Sequence, residues 1–423
     1  MVFGLIAVLS QSLVDTYYVG RLGTEPLAAL SFTFPVALTF TSLSIGLSAG
    51  ASSLVSRVIG SGERQQARLW VTDGLILSML IVGLLSFVGW LTISPLFTLL
   101  GASEGTLHYI ERYMPLWYLS MPFLVLGMVS HGAMRADGNG TWPSVFMILS
   151  ALINIVLTPI LMLGLLGFPE LEIEGVALAT LIARIIMFIA TVTMLRWGMS
   201  LMALRVPHWR DFIHASRSIL RVAGPASAGN MANPIGIALV TAILATFGNT
   251  TVAAFGVGTR IEAFACLPML ALSAAIGPFA GQNWGRNEIG RIIQALKLCF
   301  FISAINALLL VVLFWFAGEW LTGLFASEEG VRKDAASYLV IVSFSLWGYG
   351  VVVTTAAALN GIGRSELGLA YYSLRMIMLY VPLAYLASLI AGSKAVFISI
   401  SMTNILAGII CAIWCLRWLR SKI

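Results

Sequence analysis

The chain alternates between long apolar runs and short segments that contain glycine, charged and amide residues. An α-helix needs about 20 apolar residues to cross the hydrocarbon core of a membrane, and most of the runs are at least that long. The pattern therefore predicts an all-α polytopic membrane protein with twelve transmembrane helices. We place them near residues 1–20, 27–58, 67–99, 106–136, 141–164, 173–197, 218–247, 252–283, 289–325, 331–359, 365–391 and 393–418.

The second half of the sequence repeats the first half at a constant offset. The matched positions include Gly23 with Gly248, Gly60 with Gly285, Glu63 with Glu288, Trp90 with Trp315 and Tyr113 with Tyr338. Each repeat contains six spans, and an even number returns the chain to its starting side. We therefore expect two six-helix bundles related by a pseudo-twofold axis along the membrane normal. The predicted lobes are residues 1–197 and 218–423, joined by a linker of residues 198–217.

Composition agrees with a membrane protein and limits the possible functions. Hydrophobic residues make up 59% of the 423 positions and charged residues 10%, whereas soluble domains carry about 25% charged residues. The net charge of +6 comes from basic residues in separate short loops, so we expect no nucleic-acid partner. The four cysteines lie in apolar runs without an accompanying histidine or acid, which predicts packing residues and neither a metal site nor a cofactor.

The distribution of basic residues predicts the orientation in the membrane. Arginine and lysine are concentrated in one alternate set of loops and span ends, which includes Arg64, Arg135, Arg210, Arg286 and Arg364. Basic loops stay on the cytoplasmic side, so we expect a multi-pass protein of the plasma (inner) membrane with both termini and the linker in the cytoplasm. The first residues are apolar and lack the basic flank of a cleavable signal. We also expect that the native chain extends further at its N terminus.

Asp15 is an acidic residue inside the first predicted span. Inserting a charged residue at the centre of a span costs about 2.5–3.5 kcal/mol, so its presence there indicates a structural or functional role. One interpretation is a carboxylate that alternates between charged and protonated forms, because apolar surroundings favour the neutral acid. The alternative is a structural carboxylate paired with Arg184 in the sixth span. The residues alone leave both interpretations open.

Three neutral polar residues of the same half accompany Asp15. Asn154 and Thr158 are one helical turn apart in the fifth span, and Thr180 lies in the sixth. Together with Asp15 they predict a small oxygen-rich pocket. Hydrogen bonding between helices without a bound ion is the alternative.

Glu262 in the eighth span is the main intramembrane acid of the second half. Arg260 is two positions away, and residues two apart on a helix do not face each other, so Glu262 needs another partner. Arg375 in the eleventh span is available, which predicts a structural pair between Glu262 and Arg375. A carboxylate that binds a cation is the alternative.

Several motifs resemble those of one transporter family. The stretch from Val14 to Ala29 resembles the first-helix signature of the multidrug and toxic compound extrusion (MATE) family. The segment from Arg135 to Pro143 is similar to the loop after its fourth helix, and Asn360 to Gly363 repeats part of that loop. The segment from Gly281 to Gly285 resembles its second-half GQN motif. The resemblance covers nearly the whole chain.

The resemblance implies a secondary antiporter that exports amphipathic, often cationic, drug-like compounds in exchange for protons or sodium. In the DinF-like branch, which this chain resembles, the first-helix aspartate couples the ion, and that role falls on Asp15 with Asn154 and Thr180 as neighbours. Thr158 departs from relatives that carry a second carboxylate at this position. Hard cations rely on charged oxygen ligands, so we expect proton coupling, with sodium coupling as the alternative.

The second half lacks the acids of the related NorM-like branch, which places them on helices 7 and 10. This chain has Asn233 and Tyr349 at those positions, so a sodium site of that kind is not expected. The substrate cleft is expected between the lobes, lined by apolar and aromatic side chains with a few charges. The candidate cleft residues are Tyr17, Tyr18, Phe32, Phe34, Arg184 and Glu262.

Two other functions fit parts of the sequence. A flippase for lipid-linked precursors predicts a basic cleft for phosphate, for which Arg184, Arg260 and Arg375 are candidates. An intramembrane enzyme needs a nucleophile with a base or a set of metal ligands, and the four histidines and four cysteines form no such constellation in the sequence. We expect a monomeric transporter rather than an enzyme. It would act in the lipid bilayer on small amphipathic or cationic molecules by alternating access of the two lobes.

Overall fold

The computed structural model of the chain describes residues 1–203 and 208–423, apart from the side chain of residue 391. Nearly all of these residues are helical. Ten helices are long and apolar enough to cross a membrane, and two pairs of helices, each bent at a short break, bring the number to twelve if each pair is one span. By internal contacts the chain divides into a first unit, Met1–Gly224, and a second unit, Pro225–Ile423.

The first unit is organised around one long central helix. Its helices are α1 (Val2–Leu22), α2 (Thr24–Gly60), α3 (Arg64–Leu91), α4 (Ile93–Leu99), α5 (Glu104–Ala136), α6 (Thr141–Met162) and α7 (Glu172–Thr193), with a 3-10 turn at Leu165–Gly167 and a π-helical turn at Met194–Gly198. Helix α5 packs against α2, α3 and α7. Its buried apolar side chains recur at helical spacing, as a core-facing stripe requires: Ile110, Met114, Trp117, Met121 and Val125.

The second unit begins within α8 (Trp209–Ala245), which contains the boundary between the units. The helices that follow are α9 (Asn249–Ala265), α10 (Leu267–Gly285), α11 (Ile289–Gly323), α12 (Glu329–Ser343), α13 (Leu346–Gly361), α14 (Ser365–Ser373), a π-helical segment (Leu374–Tyr380) and α15 (Val381–Arg420). Helix α13 packs against α10, α11, α14 and α15. The candidate spans Ser365–Ile390 and Gly392–Arg420 adjoin at Gly392, whose φ of 75° is a left-handed conformation that favours glycine.

Three expected spans contain breaks. Helices α3 and α4 are separated at Thr92, α9 and α10 meet at a bend of 46°, and α12 and α13 meet at a bend of 57°. The bend before α10 coincides with Pro268 in the first turn of that helix, where proline is favoured because its missing N–H would have no partner within the helix. Apolar run length alone does not reveal such breaks.

Helix α8 begins inside the predicted linker of residues 198–217. Its first turn starts at Trp209, and the buried positions Ala215, Ile219 and Val222 follow at helical spacing. About half of the predicted linker therefore belongs to the start of a long helix. Residues 204–207 of that linker, including Arg205, lie outside the described residues.

Candidate ion-coupling site

The predicted polar pocket of the first unit is assembled from three helices that pack on one another. Asp15 lies on α1, Asn154 and Thr158 lie on α6, and Thr180 lies on α7. Helix α6 packs against both α1 and α7. One turn of α6 therefore directs an amide towards α7 and a hydroxyl towards α1, and the structure brings all four predicted residues together.

Hydrogen bonds link the four side chains in a continuous chain. Thr158 Oγ1 donates to Asp15 Oδ1 over 3.1 Å and lies 3.4 Å from Asn154 Oδ1. Asn154 Nδ2 donates to Thr180 Oγ1 over 3.0 Å, and the Thr180 hydroxyl donates to the backbone carbonyl of Val176. Asn154 and Thr158 are completely buried. Because the Asn154 amide nitrogen is directed to α7, its oxygen faces Thr158 and shares that hydroxyl with the carboxylate.

Arg184 lies near this chain of hydrogen bonds but bonds to a different group. Its guanidinium donates to Ser120 Oγ on α5. It attracts Asp15 electrostatically, and no direct ion pair joins the two within the described part of the first unit. The alternative interpretation, a structural carboxylate paired directly with Arg184, is therefore not what the structure forms.

Two further neighbours of Asp15 were not identified from the sequence. Gln11 lies one turn earlier on α1 and interacts with the carboxylate, and its spacing of four residues is the signal that could have indicated it. Tyr113 on α5 is 7% exposed and interacts electrostatically with both Asp15 and Arg184. The only sequence signal for Tyr113 is its match with Tyr338 in the repeat.

The four aromatic residues expected in a substrate cleft do not form one cluster. Tyr17 and Phe34 are each 62% exposed, whereas Tyr18 and Phe32 pack partly against the core of the first unit. Tyr17 and Tyr18 contact each other edge to face, with ring centroids 5.5 Å apart. Of the four, Tyr17 and Phe34 are thus the rings available to a ligand or to lipid, and the other two contribute packing.

Glu262 and Arg375 of the second unit do not form the predicted direct pair. Glu262 on α9 accepts a hydrogen bond from the Tyr338 hydroxyl on α12. Arg375 donates through Nε to Asn404 Oδ1 over 2.9 Å and through Nη1 to Asn233 Oδ1 over 3.1 Å. The two charges interact across space. The predicted pair is wrong in its contacts, because neutral side chains hold each charged group.

The planar guanidinium of Arg375 is fixed by contacts on its face and along its edge. Its guanidinium lies 4.8 Å above the ring of Tyr349, and Asn404 is itself oriented by donating to Ser345 Oγ over 3.0 Å. The side chain is 4% exposed. Asn233 and Tyr349 therefore both contact Arg375. The second unit thus holds a positive charge between these two side chains.

The ligand chemistry of the two clusters differs from that of a transition-metal site. Across residues 1–203 and 208–423, no three His, Cys, Asp or Glu side chains are grouped as metal ligands. The first-unit pocket offers one carboxylate with neutral amide and hydroxyl oxygens. Such a set can exchange a proton at Asp15, whereas a hard cation is held more firmly by several charged oxygens.

Comparison with known proteins agrees with these features. Residues 1–160 and 225–386 match the MatE family. The chain is 38% identical over 410 residues to a protein of Shewanella oneidensis named FAD transporter, covering 96% of this chain and 90% of that protein. It is 28% identical over 349 residues to the probable multidrug resistance protein YoeA of Bacillus subtilis, covering 80% of this chain and 73% of that protein.

Solved structures match over the whole chain. The MATE transporter VcmN of Vibrio cholerae, in its bent form, gives a TM-score of 0.94 at 28% identity and covers 100% of this chain and 95% of that one. A MOP superfamily transporter from Pyrococcus furiosus gives a TM-score of 0.91 at 25% identity, covering 100% of this chain and 94% of that one. The predicted fold, twelve membrane helices in two lobes, is confirmed by this likeness.

Proposed function

Because the chain belongs to the MatE family, whose members are transporters and not enzymes, we propose that it is a proton-coupled antiporter that exports an organic solute. The observation that carries the proposal is the hydrogen-bond chain from Asp15 through Thr158 and Asn154 to Thr180. It supports Asp15 as the ion-coupling residue and the other three as its partners. We propose that the two lobes open alternately to the two sides of the membrane.

A proton is the ion that this chain of side chains suits best. Asp15 is its one carboxylate, and Thr158 occupies the position where a second carboxylate would strengthen a sodium site. When Asp15 is charged, its carboxylate accepts a hydrogen bond from the Thr158 hydroxyl. When Asp15 is protonated, that hydroxyl is free to bond to Asn154 Oδ1, which is already 3.4 Å away. Protonation therefore changes the contacts between α1 and α6.

The proposed cycle uses this change to drive export. Substrate is held while Asp15 is charged, and a proton arriving from outside neutralises the carboxylate. The weakened contact between α1 and α6 lowers the affinity for substrate, which leaves to the outside. Such a cycle needs an ion whose affinity differs between the two states, and the rearrangement of the Thr158 hydroxyl supplies that difference.

The test is substrate efflux in proteoliposomes under either a proton or a sodium gradient, at a fixed membrane voltage. We expect export to follow the proton gradient and to be lost in Asp15→Asn. The matched control Asp211→Asn changes an exposed aspartate at the start of α8 and should export normally. Undiminished export by Asp15→Asn, or export that follows sodium alone, would overturn the proposed coupling.

Two substrate classes are supported by different observations. The multidrug name of YoeA favours amphipathic or cationic compounds, which Glu262 would attract. The FAD transporter name of the Shewanella protein favours a second candidate, an anionic dinucleotide that carries an aromatic ring. Arg375 supports this candidate, because its charge is held by neutral groups and lies against the ring of Tyr349.

Transport of FAD and of ethidium, a cationic aromatic compound, by the same proteoliposomes distinguishes the two classes. An exporter of cations should move ethidium, and Glu262→Gln should lower that activity without abolishing it. An exporter of FAD should move FAD and lose that activity in Arg375→Gln. Arg364→Gln, at an arginine 49% exposed, is the matched control and should leave both activities unchanged.

We also propose that the protein acts as a monomer in the plasma membrane with both termini in the cytoplasm. The support for the orientation is the concentration of arginine and lysine in one alternate set of loops. A C-terminal tag should be cleaved by protease in inside-out vesicles and protected in intact cells. Protection in inside-out vesicles would reverse the orientation.

A further inference from the structure

A groove of about 700 Å³ on the second unit is not used by the proposed transport cycle. It lies where the last turns of α11, the first turns of α12 and the start of the span Gly392–Arg420 pack together. Its lining combines apolar side chains with charged ones, which include Glu319 on α11, Lys333 and Asp334 on α12 and Lys394 on α15. A concave surface with both kinds of side chain suits an amphipathic ligand.

Two exposed apolar stripes lead from the groove into the membrane. On α11, Trp315 lines the groove and Val312 lies one turn deeper, and on α15, Lys394 lines the groove and Ile398 and Met402 follow at intervals of four residues. The four apolar side chains are each at least 50% exposed, as a surface that contacts acyl chains requires. Because tryptophan is enriched at the level of the headgroups, the groove lies where headgroups meet acyl chains.

The face of α12 that lines the groove changes from acidic to apolar along the helix. Asp334, Ser337 and Ile341 all line the groove, and their spacing of three and four residues places them on one face. The acid is nearest the start of α12 at Glu329, and the isoleucine lies two turns further along the span. This order matches a lipid, whose charged headgroup is followed by apolar chains.

Two of the charged side chains in the groove already have partners. Lys333 forms an ion pair with Glu329, one turn earlier on α12. Glu319 forms an ion pair with Arg332 over 3.1 Å. Neither charge therefore needs a ligand.

The remaining charges, Lys394 on α15 and Asp334 on α12, have opposite signs. Within residues 1–203 and 208–423, neither side chain forms an ion pair or a hydrogen bond, either with the other or with a third residue. Because they line one groove without pairing, a ligand that carries both an anion and a cation can lie between them.

We propose that this groove binds one phosphatidylethanolamine molecule of the surrounding membrane. The phosphate accepts a hydrogen bond from the Lys394 ammonium, and the ammonium of the lipid donates to the Asp334 carboxylate. The acyl chains lie against Ile341, Val312 and Ile398.

Related molecules match the groove less well. Phosphatidylglycerol carries the phosphate but brings no cation to Asp334. Phosphatidylcholine carries a quaternary ammonium, which has no N–H group to donate to the carboxylate. Free phosphoethanolamine has both charges but would leave the apolar side chains uncovered.

Native mass spectrometry of the purified protein, titrated with dioleoyl lipids that differ only in their headgroup, tests the proposal. We expect one tightly bound phosphatidylethanolamine and weaker binding of phosphatidylcholine and phosphatidylglycerol. Lys394→Gln should raise the dissociation constants of phosphatidylethanolamine and phosphatidylglycerol about fivefold, because both lipids carry the phosphate. Lys297→Gln, at an exposed lysine near the opposite end of α11, is the matched control and should bind lipid as the wild type does.

Asp334→Asn separates the headgroup contact from a general change of the surface. It removes the partner of the lipid ammonium, so phosphatidylethanolamine should bind about threefold more weakly. It also removes a negative charge that repels phosphatidylglycerol, so that lipid should bind no more weakly than to the wild type. The matched control Asp211→Asn changes an exposed aspartate on α8 and should affect neither lipid.

Several results would overturn the proposal. They are equal binding of phosphatidylethanolamine and phosphatidylcholine, equal effects of the two lysine substitutions, and an Asp334→Asn protein that binds both lipids more weakly or phosphatidylethanolamine unchanged. Displacement of the lipid by phosphoethanolamine would indicate a site for the free headgroup instead.

Trp315→Ala provides a second variant if Lys394→Gln cannot be purified. The tryptophan is 67% exposed, so folding should survive its removal. The loss of its contact with the lipid should weaken the binding of all three lipids. Unchanged binding of phosphatidylethanolamine to Trp315→Ala would place the lipid elsewhere.

Discussion

The intramembrane acids of the two units are held by different kinds of donor. Asp15 in the first unit accepts from Thr158, whose hydroxyl has a second acceptor within 3.4 Å in Asn154. Glu262 in the second unit accepts from Tyr338, which is 1% exposed and packed edge to face against two phenylalanine rings. The Thr158 hydroxyl can change its acceptor when Asp15 is protonated, because Asn154 is within reach. The Tyr338 hydroxyl is fixed by the packing of its ring and therefore keeps its hydrogen bond to Glu262.

The internal repeat shows which parts of the two acid sites are shared between the units and which differ. Tyr113 and Tyr338 stand at matched positions, and each lies beside the acid of its own unit. The acids themselves come from helices that do not match, Asp15 from α1 and Glu262 from α9. The buried phenol is thus common to both units, and the helix that supplies the acid differs. We infer that ion coupling belongs to the first unit.

Coupled export should show the largest difference between the units. Asp15→Asn removes the one titratable member of its hydrogen-bond chain, so proton-driven export should fall to the level of protein-free liposomes. Glu262→Gln keeps an acceptor for Tyr338 and removes only the charge, so we expect a loss of about tenfold or less, equivalent to about 1.4 kcal/mol. Initial export rates at equal protein density measure both effects.

The double substitution controls for a general loss of folding. If Asp15 alone couples the ion, Asp15→Asn with Glu262→Gln should be no worse than Asp15→Asn, and both proteins should remain monodisperse in detergent. A greater loss in Glu262→Gln than in Asp15→Asn would transfer the coupling role to the second unit.

Much of the fold and the first-unit site could be predicted because polar residues are rare in the spans. Asn154 and Thr158 are one turn apart, so a helix necessarily places them on one face, and few other groups could partner Asp15. The breaks were harder to predict. The bend between α12 and α13 follows Ser343 without a proline, so no local signal marks it.

The partner of Glu262 could not be predicted, because it depends on how α9 packs against α12. Arg375 was the obvious opposite charge, yet two asparagines occupy its donors. Tyr338 appeared in the sequence only as a matched position of the repeat. A neutral hydrogen-bond donor leaves no charge signal, and its role depends on tertiary contacts.

The arginines extend the comparison to stability. Arg375→Lys should lower the free energy of unfolding by about 2 kcal/mol, because a single ammonium group cannot replace a planar fork bonded to two amides and stacked on Tyr349. Arg184→Lys should cost about 1 kcal/mol, since the guanidinium of Arg184 donates to one side chain, that of Ser120. Chemical unfolding in mixed micelles measures both. Equal losses would show that the two arginines are held equally firmly.

The matched tyrosines test whether the phenol has the same task in both units. Tyr338→Phe leaves Glu262 without its donor, and we expect a loss of about 1 kcal/mol in the free energy of unfolding. Tyr113→Phe removes a hydroxyl that interacts with Asp15 only across space, so the loss should stay within about 0.5 kcal/mol. The same unfolding assay applies. A larger loss for Tyr113→Phe would indicate that the first unit also depends on its phenol.

The smallest expected effect concerns another matched pair, Asp137 and Ile362, which follow α5 and α13. Ile362 is 4% exposed in an apolar cluster, whereas Asp137 forms an ion pair with Arg64 over 3.1 Å. Partial burial raises the pKa of the Asp137 carboxyl above its ordinary value of 3.8, and Arg64 opposes that shift. The folded state therefore binds more protons than the unfolded state, so the contribution of Asp137 to stability falls as pH rises above this value.

Asp137→Asn should remove that slope and change the free energy of unfolding near neutral pH by less than about 1 kcal/mol, the range of exposed ion pairs. Unfolding midpoints measured from about pH 4 to neutrality provide the test. Arg64→Gln leaves the carboxylate without its partner and should steepen the slope. Because Ile362 carries no proton, the matched loop of the second unit should add no slope of its own. An unchanged slope in Asp137→Asn would place the pH dependence elsewhere in the first unit.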